Sequence, residues 1–303
     1  MALRQALREK FEIGAHPLTL TECVGIDHDG MRLERLTFAT ANGENVRGFL
    51  LRSPGDAPVP AILYIHAHGN AYEIGADELL SGRKALQTPL GPEFARRGYA
   101  VLMVELPAFG ARSSPGESAR AKAALWHGKS LAGQMLGEQA AAFEWLASRP
   151  DIIVDRIAVF GISMGATFSY WLAAAEPRIA ASAHLCAYAD YAALIDAGNI
   201  DLHGIYLTVP GLLTLAGNGE IAGLIAPRPQ LIGIGDLDPL TPPAAFETAF
   251  AQTYHTYQEA GAADRLVLLR EPEAGHVETP AMRAAVFSFF DRHLASPGED
   301  GSD

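Results

Sequence analysis

The chain has 303 residues, 49% hydrophobic and 19% charged, which is enough for one large α/β domain and too apolar for a disordered protein. Its net charge of −12 argues against nucleic acid or an anionic membrane as the main partner. The two cysteines, Cys23 and Cys186, form no CxxC pair and favour a reduced, cytoplasmic protein. Residues 1–10 do not resemble a signal peptide, and no apolar run approaches the roughly 18 residues of a spanning helix.

The first 30 residues predict a surface helix followed by an irregular lead-in. Residues 31–38 alternate apolar and polar side chains and predict a strand, Asn42-Gly43 is a hairpin turn signal, and residues 46–51 predict the returning strand. Short apolar runs then predict buried strands at 61–65, 100–104, 156–160, 179–185, 230–234 and 266–269. Helical spacing predicts helices at 131–148, 164–175, 243–260 and 280–294.

Strands that alternate with helices predict an α/β fold with a mostly parallel central sheet, helices on both faces and an antiparallel hairpin at one edge. We expect a single domain over residues 1–303, with 1–30 as the lead-in, 187–226 as an insertion and 296–303 as a mobile polar tail. The insertion is rich in apolar side chains, namely Tyr188, Tyr191, Ile200, Leu202, Ile205, Tyr206, Leu207, Leu212, Leu213 and Leu215. It is interpreted either as a cap that lines an acyl or aromatic pocket, or as a segment that packs against the core or a second subunit.

The clearest chemical motif is Gly161-Ile-Ser-Met-Gly165, which follows a predicted strand and opens a predicted helix. In this context G-x-S-x-G forms a tight turn, and glycine is needed on both sides of the serine because the turn leaves no room for bulky side chains. The hydroxyl of Ser163 is then raised above the sheet, where the backbone N–H of Met164 can face a developing oxyanion. The alternative, a chance match in a glycine-rich loop, does not explain the flanking strand and helix.

A serine hydroxyl needs a base, and the base needs an orienting acid. In the fold that carries this turn, the acid and then the histidine follow the serine along the chain. Asp236 and Asp238 compete for the role of the acid, since both follow the strand predicted at 230–234. His276 follows the last predicted strand, which is where this fold places its base. Most other histidines, His203 included, are expected at the surface or in packing, and His184 either lines the site or packs in the core.

The loop after the first parallel strand, residues 64–70, is expected to supply the second oxyanion donor. Its His-Gly pair lets the backbone approach a substrate closely, so the N–H of Asn70, just after Gly69, is the predicted donor. The alternative is that the two histidines of this loop only pack it. The candidate substrate-binding side chains are His68, Phe109, Tyr188 and Tyr206.

Together these residues resemble the dienelactone-hydrolase-like and acetyl-xylan-esterase-like branches of the α/β-hydrolase superfamily, over about residues 31–294. The resemblance is carried by 66–70 (HAHGN), 105–112 (ELPAFGAR), 154–165 (VDRIAVFGISMG), 225–232 (IAPRPQLI), 238–243 (DPLTPP) and 275–276 (GH). It implies that Asp238 is the acid, because in this family the acid precedes a proline by four residues, as Asp238 precedes Pro242. The chain has Ser163 where dienelactone hydrolases have a cysteine, which argues against lactone hydrolysis.

The sequence therefore predicts a serine hydrolase that cleaves carboxylic esters or related small acyl compounds, with Ser163 as nucleophile, His276 as base and Asp238 as acid. No metal or organic cofactor is implied. The same three residues would also serve a thioesterase, an amidase or peptidase, or a C–C bond hydrolase. A non-catalytic binding protein of the same fold is the alternative from another class, and the intact order of serine, acid and histidine argues against it. The sequence leaves self-association into a homo-oligomer open.

Overall fold

The structure is a computed structural model and describes residues 2–294, so the predicted tail at 296–303 lies outside the described residues. Within this range nine strands form one sheet in the order β1-β2-β3-β5-β4-β6-β7-β8-β9. The strands are β1 Leu18–His28, β2 Met31–Thr40, β3 Asn45–Arg52, β4 Val59–Ile65, β5 Ala100–Val104, β6 Ile152–Ile162, β7 Ser182–Leu185, β8 Gln230–Gly235 and β9 Leu266–Glu271. The helices are α1 Ala2–Lys10, α2 Glu78–Ser81, α3 Leu90–Arg96, α4 Glu117–Trp126, α5 Leu131–Ala147, α6 Met164–Ala175, α7 Tyr191–Asp196, α8 Asn218–Gly223, α9 Pro243–Glu259 and α10 Pro280–Leu294. None of these helices is long and apolar enough to cross a membrane.

Strands β4 to β9 pair in parallel, and β3 joins them by an antiparallel pairing with β5. The prediction of a mostly parallel sheet with an antiparallel edge is therefore confirmed. Strands β5, β7 and β8 are buried along their whole length, as expected for parallel strands that helices cover on both faces. Because parallel strands all end at the same edge of the sheet, the loops that follow β4, β6, β7, β8 and β9 converge there.

The prediction of an irregular lead-in before residue 31 is wrong. Helix α1 is present, but β1 is an 11-residue strand that pairs with β2 along its full length. Most of its side chains are exposed, because it is an edge strand and no layer covers it. It therefore lacks the apolar alternation by which a strand is recognised. Asp29 and Gly30, which connect it to β2, both have positive φ (52° and 76°), as a tight hairpin turn requires.

Helices cover both faces of the sheet and enclose two apolar clusters. Helix α6, which begins directly after the central strand β6, is buried at all 12 of its residues. Its Trp171 stacks on Phe11 with a ring-centroid distance of 4.8 Å, so the N-terminal segment packs over it. The side chains of Arg4 and Arg8 donate hydrogen bonds to the carbonyls of Ala174 and Ala175 at the end of the helix. Helix α6 is consequently held by packing on all sides.

Residues 187–226, which we call the covering segment, consist of α7, three 3-10 turns and α8. Tyr191, Leu194 and Leu212 are buried in the same apolar cluster as α6. Leu202 and Leu213 are exposed. The segment thus packs against the core along one side.

Candidate active site

Ser163 lies in the turn between β6 and α6, with φ of 58° and ψ of −124°, a conformation that is unfavourable for a residue with a side chain. The flanking glycines explain how the turn is held. A Cβ on Gly161 would lie 2.1 Å from the backbone oxygen of Gly165, and a Cβ on Gly165 would lie 2.0 Å from the backbone oxygen of Ile65. Backbone therefore packs directly on backbone at this point, and the turn raises the serine at the carboxyl edge of the sheet.

Ser163, His276 and Asp238 form one hydrogen-bonded chain. The Oγ of Ser163 is 2.8 Å from Nε2 of His276, and Nδ1 of His276 is 2.7 Å from Oδ2 of Asp238. The Asp238 side chain is 0% exposed and that of His276 is 24% exposed. A buried carboxylate is poorly screened by water, so its interaction with the ring is stronger than that of an exposed pair. The three residues come from the loops after β6, β8 and β9.

The two aspartates that compete for the role of the acid are separated clearly by the structure. The second oxygen of Asp238 accepts the N–H of Leu240 at 2.9 Å, which fixes the direction of the carboxylate. Asp236 instead pairs with Arg270 on β9, with 2.5 Å between Nε and Oδ1. Of the two, Asp238 reaches His276 and Asp236 does not.

The two predicted oxyanion donors, Met164 and Asn70, both line the cavity at Ser163. Met164 is the first residue of α6, so its N–H has no acceptor within the helix. Gly69 and Asn70 both have positive φ (54° and 53°), and the N–H of Asn70 donates to Nδ1 of His68 at 3.0 Å. Asn70 is therefore placed at the site, but its N–H faces a ring nitrogen of its own loop.

His68 also contacts a carboxylate that the sequence analysis did not identify. Its Nε2 is 2.5 Å from Oε2 of Glu117, the first residue of α4. Glu117 further accepts the hydroxyl of Tyr72 at 2.8 Å and the N–H of Tyr206 at 3.1 Å. Burial alone would raise the pKa of Glu117, but its hydrogen bonds with His68, Tyr72 and the N–H of Tyr206 bring it below its ordinary value. Burial and Glu117 together raise the pKa of Tyr72 to about 12.

A cavity of about 210 Å³ opens above the Ser163 hydroxyl. Its lining includes the predicted residues His68, Asn70, Ser163, Met164, Tyr206 and His276. The sequence analysis did not assign Thr167, Cys186, His203 or Leu240, which also line it, whereas Leu202 belongs to the insertion that one interpretation placed at a pocket. The position of Cys186 directly after β7 was a signal for its placement, because the ends of parallel strands meet at this edge. His203 carried no such signal, because it does not directly follow a strand.

Two candidate substrate-binding residues are placed elsewhere, which corrects their assignment. Tyr188 is buried in the core, and its hydroxyl is hydrogen-bonded to Thr253 and to the carbonyl of Ala249. Phe109 is fully buried and packs edge-on against His68 with 5.1 Å between ring centroids. Both rings are buried and do not line the cavity. Their large apolar surface, which had suggested a pocket wall, instead packs inside the protein.

The expectation that His203 lies at the surface or in packing also needs correction, since its ring helps line the cavity. Burial lowers its pKa, and a hydrogen bond with the backbone of Leu240 and the charge of Asp238 partly offset this. His184, by contrast, is fully buried, 3.0 Å from Gln230 in the core, and burial lowers its pKa to about 3.

Across residues 2–294 no group of three or more His, Cys, Asp or Glu side chains is arranged to hold a metal ion.

Comparison with known proteins identifies the family. The family model described as X-Pro dipeptidyl-peptidase (S15 family) matches residues 50–218. A Bacillus subtilis (strain 168) protein named as a hydrolase, YtaP, is 36% identical over 240 residues, which cover 79% of this chain and 80% of that protein. The chain belongs to the S15 family. The matched segment of this S15-family chain contains Ser163, the loop at 66–70 and Glu117.

Solved structures support the fold of this S15-family chain. Methylesterase BT1017 superposes with a TM-score of 0.72 at 21% identity, over 96% of this chain and 62% of that one. An acetyl xylan esterase from Paenibacillus sp. R4 superposes with a TM-score of 0.69 at 15% identity, over 97% of this chain and 94% of that one. Identities this low show the fold alone. The predictions of an α/β-hydrolase fold and of membership in that superfamily are confirmed, and the chain is an S15-family hydrolase.

Proposed function

We propose that this S15-family hydrolase cleaves carboxylic esters of small molecules through an acyl-enzyme. The observation that carries the proposal is the chain of contacts from the Ser163 hydroxyl through His276 to the buried Asp238, with distances of 2.8 and 2.7 Å. A hydroxyl with a base at hydrogen-bond distance, itself oriented by a carboxylate, is the arrangement that nucleophilic catalysis by serine needs.

In the proposed reaction, His276 Nε2 takes the proton of Ser163 Oγ as that oxygen attacks the ester carbonyl carbon. Asp238 holds the ring through Nδ1 and stabilises the imidazolium that forms. The negative oxygen of the tetrahedral intermediate is held by the N–H of Met164 and the N–H of Asn70. His276 then gives its proton to the leaving alkoxide, and water repeats the sequence on the acyl-enzyme to release the acid.

The shape of the cavity favours a short acyl group. A cavity of about 210 Å³ is small, and Leu202, Leu240 and Tyr206 provide apolar surface within it. Solved structures of this fold include a methylesterase and an acetyl xylan esterase, and both names describe esterases. We therefore propose that acetyl and similarly small acyl esters are preferred over long-chain ones.

Peptide cleavage is the second candidate function, because the matching family model is named for an X-Pro dipeptidyl-peptidase. The same contacts among Ser163, His276 and Asp238 would serve an amide, with the proton passing from His276 to a leaving amine. Thioesters and C–C bonds are further alternatives, since they use the same nucleophile and base. A non-catalytic binding protein would keep the fold without covalent chemistry.

Covalent labelling separates an enzyme from a binding protein. We expect a fluorophosphonate probe to label the wild-type chain at Ser163, as located by mass spectrometry of the labelled peptide. Ser169→Ala is a matched control, because Ser169 lies on the same helix α6 but donates its hydroxyl to the carbonyl of Ala166. This variant should be labelled like the wild type. An unlabelled wild-type chain, or a label on another residue, would overturn the proposal.

A substrate panel separates the candidate bonds. We expect p-nitrophenyl acetate to be cleaved with a higher kcat/KM than p-nitrophenyl octanoate, an acetyl thioester or Ala-Pro-p-nitroanilide. A strong chelator should leave the rate unchanged, because no metal is assigned to the chemistry. A higher kcat/KM on Ala-Pro-p-nitroanilide would favour the peptidase, and loss of activity to the chelator with restoration by zinc would exclude the proposed mechanism.

We also propose a reduced, cytoplasmic setting. Cys23 is exposed on β1, Cys186 is buried beside the cavity, and both thiols are free. Free thiols, one of them exposed, fit a compartment that keeps cysteine reduced. Fractionation of cells that produce the chain natively, followed by immunoblotting, would test this location.

A further inference from the structure

Both ring nitrogens of His68 are engaged, and the partners decide which of them carries the proton. The backbone N–H of Asn70 can only donate, so Nδ1 of His68, 3.0 Å away, must accept. The proton of the neutral ring is therefore on Nε2, which donates to Glu117. A ring with the proton on Nδ1 could not make the contact to Asn70.

Glu117 is well placed to keep the ring in this state. Its side chain is 5% exposed, and the one on His68 is 10% exposed, so little water competes for the contact. One oxygen of Glu117 faces the His68 ring and the hydroxyl of Tyr72, and the other accepts the N–H of Tyr206. All three partners are donors, which is what an ionised carboxylate accepts.

The peptide that His68 holds lies in the middle of a tight turn, which a second hydrogen bond closes, from the N–H of Ala71 to the carbonyl of His68 at 3.1 Å. Gly69 and Asn70 are consecutive residues with positive φ, and glycine has no Cβ to restrict its own rotation. The peptide group between them can turn by coupled rotations on its two sides, which would change the direction of the Asn70 N–H. The hydrogen bond from that N–H to Nδ1 restrains this rotation. Neither His68 nor Glu117 is hydrogen-bonded to Ser163 or His276, so their effect would pass through Asn70.

We propose that His68 and Glu117 are positioning residues for the oxyanion donor: Glu117 fixes the ring of His68, and His68 holds the N–H of Asn70 at the mouth of the cavity. This inference rests on the proposed function. The N–H is shared between Nδ1 and the developing oxyanion, as a three-centre hydrogen bond. Loss of one oxyanion donor in a serine hydrolase slows kcat by about 10²–10³-fold, so misdirection of this N–H should be measurable.

Kinetics of three variants test the proposal with p-nitrophenyl acetate. For His68→Leu we expect kcat to fall by about 10- to 100-fold while KM changes by less than about threefold, because the donor acts on the transition state. For His68→Asn we expect partial recovery, since an asparagine side chain can accept the N–H of the residue two positions on. For Glu117→Gln we expect a loss of kcat, because three donors face this side chain and an amide has only one accepting oxygen, so its NH₂ must face either the His68 ring or the N–H of Tyr206.

Tyr72→Phe is the matched control, because it removes one hydrogen bond to Glu117 and leaves both contacts of His68 in place. Its kcat should stay within about twofold of the wild type. Thermal unfolding of each variant shows whether it is folded, and His68→Asn and Glu117→Gln keep the test decisive if His68→Leu does not fold. A folded His68→Leu or Glu117→Gln protein with wild-type kcat overturns the proposal, as does His68→Asn that is no better than His68→Leu.

A spectroscopic experiment tests the hydrogen bonds of His68 without measuring hydrolysis. Imidazole ¹⁵N NMR of the wild-type protein should show His68 with Nε2 protonated, and Glu117→Gln should shift this population towards the Nδ1-protonated ring. A wild-type ring protonated on Nδ1 overturns the inference whatever the activity. A wild-type protein that is folded but hydrolyses no ester refutes the proposed function, and with it the catalytic part of this inference, while the NMR result still decides the hydrogen bond.

Discussion

The three residues assigned to the chemistry differ from the covering segment in how the structure holds them. Ser163, Asp238 and His276 follow strands β6, β8 and β9, and backbone packing and buried hydrogen bonds fix their directions. The covering segment has short helices and 3-10 turns, and it leaves Leu202 56% exposed at the cavity. The comparison suggests that changes near strand ends should affect kcat, whereas changes in the covering segment should affect substrate preference.

The two regions meet at Glu117. This side chain accepts the N–H of Tyr206 from the covering segment and orients His68 in the loop after β4. The backbone of the covering segment is therefore linked to the loop that carries Asn70 through a single buried carboxylate. A change in the covering segment that moves Tyr206 would then affect kcat as well. The four predictions below help to separate effects on kcat from effects on substrate preference.

The largest effect is expected for Ser163→Ala. Removal of the nucleophile should lower kcat for p-nitrophenyl acetate by about 10³-fold or more, because the three residues act as a unit. The thermal midpoint should stay close to the wild type, since alanine fits the same turn. Activity within tenfold of the wild type would show that the strand-end residues do not carry the chemistry.

A large effect is also expected for Asp238→Asn, with kcat reduced by about 10²-fold or more, because an amide favours the wrong tautomer of His276. Asp236→Asn is its matched control, two positions away in the same loop and paired with Arg270. It should change kcat by less than about threefold. The opposite order would assign the acid to Asp236 and contradict the arrangement described for this loop.

The pH profile should show one acid limb. Protonated His276 cannot accept the serine proton, so kcat/KM should fall about tenfold per pH unit on acidification and level off at higher pH. Burial lowers the pKa of His66 and His184 to about 3, so neither should contribute to a limb above pH 5. The limb should persist in His68→Asn, which separates the role of His276 from that of His68. A profile without an acid limb would rule out His276 as the base.

The smallest effect is expected in the covering segment. Leu202→Ser removes apolar surface at the cavity and should raise KM for p-nitrophenyl butyrate by about three- to fivefold, with kcat within about twofold, because partial burial of a leucine contributes about 1 kcal/mol. Leu213→Ser is the control, since Leu213 lies in the same segment but away from this cavity. If Leu202→Ser instead lowered kcat with KM unchanged, the division between the two regions would not hold.

Much of the fold could be predicted from local patterns. Each apolar run interpreted as a parallel strand overlaps an observed strand, because burial on both faces leaves a continuous hydrophobic signature. The turn at Ser163 was predictable for a similar reason, since its two glycines and the flanking elements are adjacent in sequence. Strand β1 was not predictable in this way, because an exposed edge strand has no apolar face to reveal it.

The surroundings of the site depend on contacts between residues that are distant in sequence. His68 and Glu117 are 49 positions apart, and Tyr206 and Glu117 are 89 positions apart. No periodicity or spacing encodes such pairs, because they depend on how α4 and the covering segment pack against the end of the sheet. For the same reason, side-chain type alone suggested both Tyr188 and Tyr206 as substrate-binding residues. Packing buries Tyr188 in the core and places Tyr206 at the cavity.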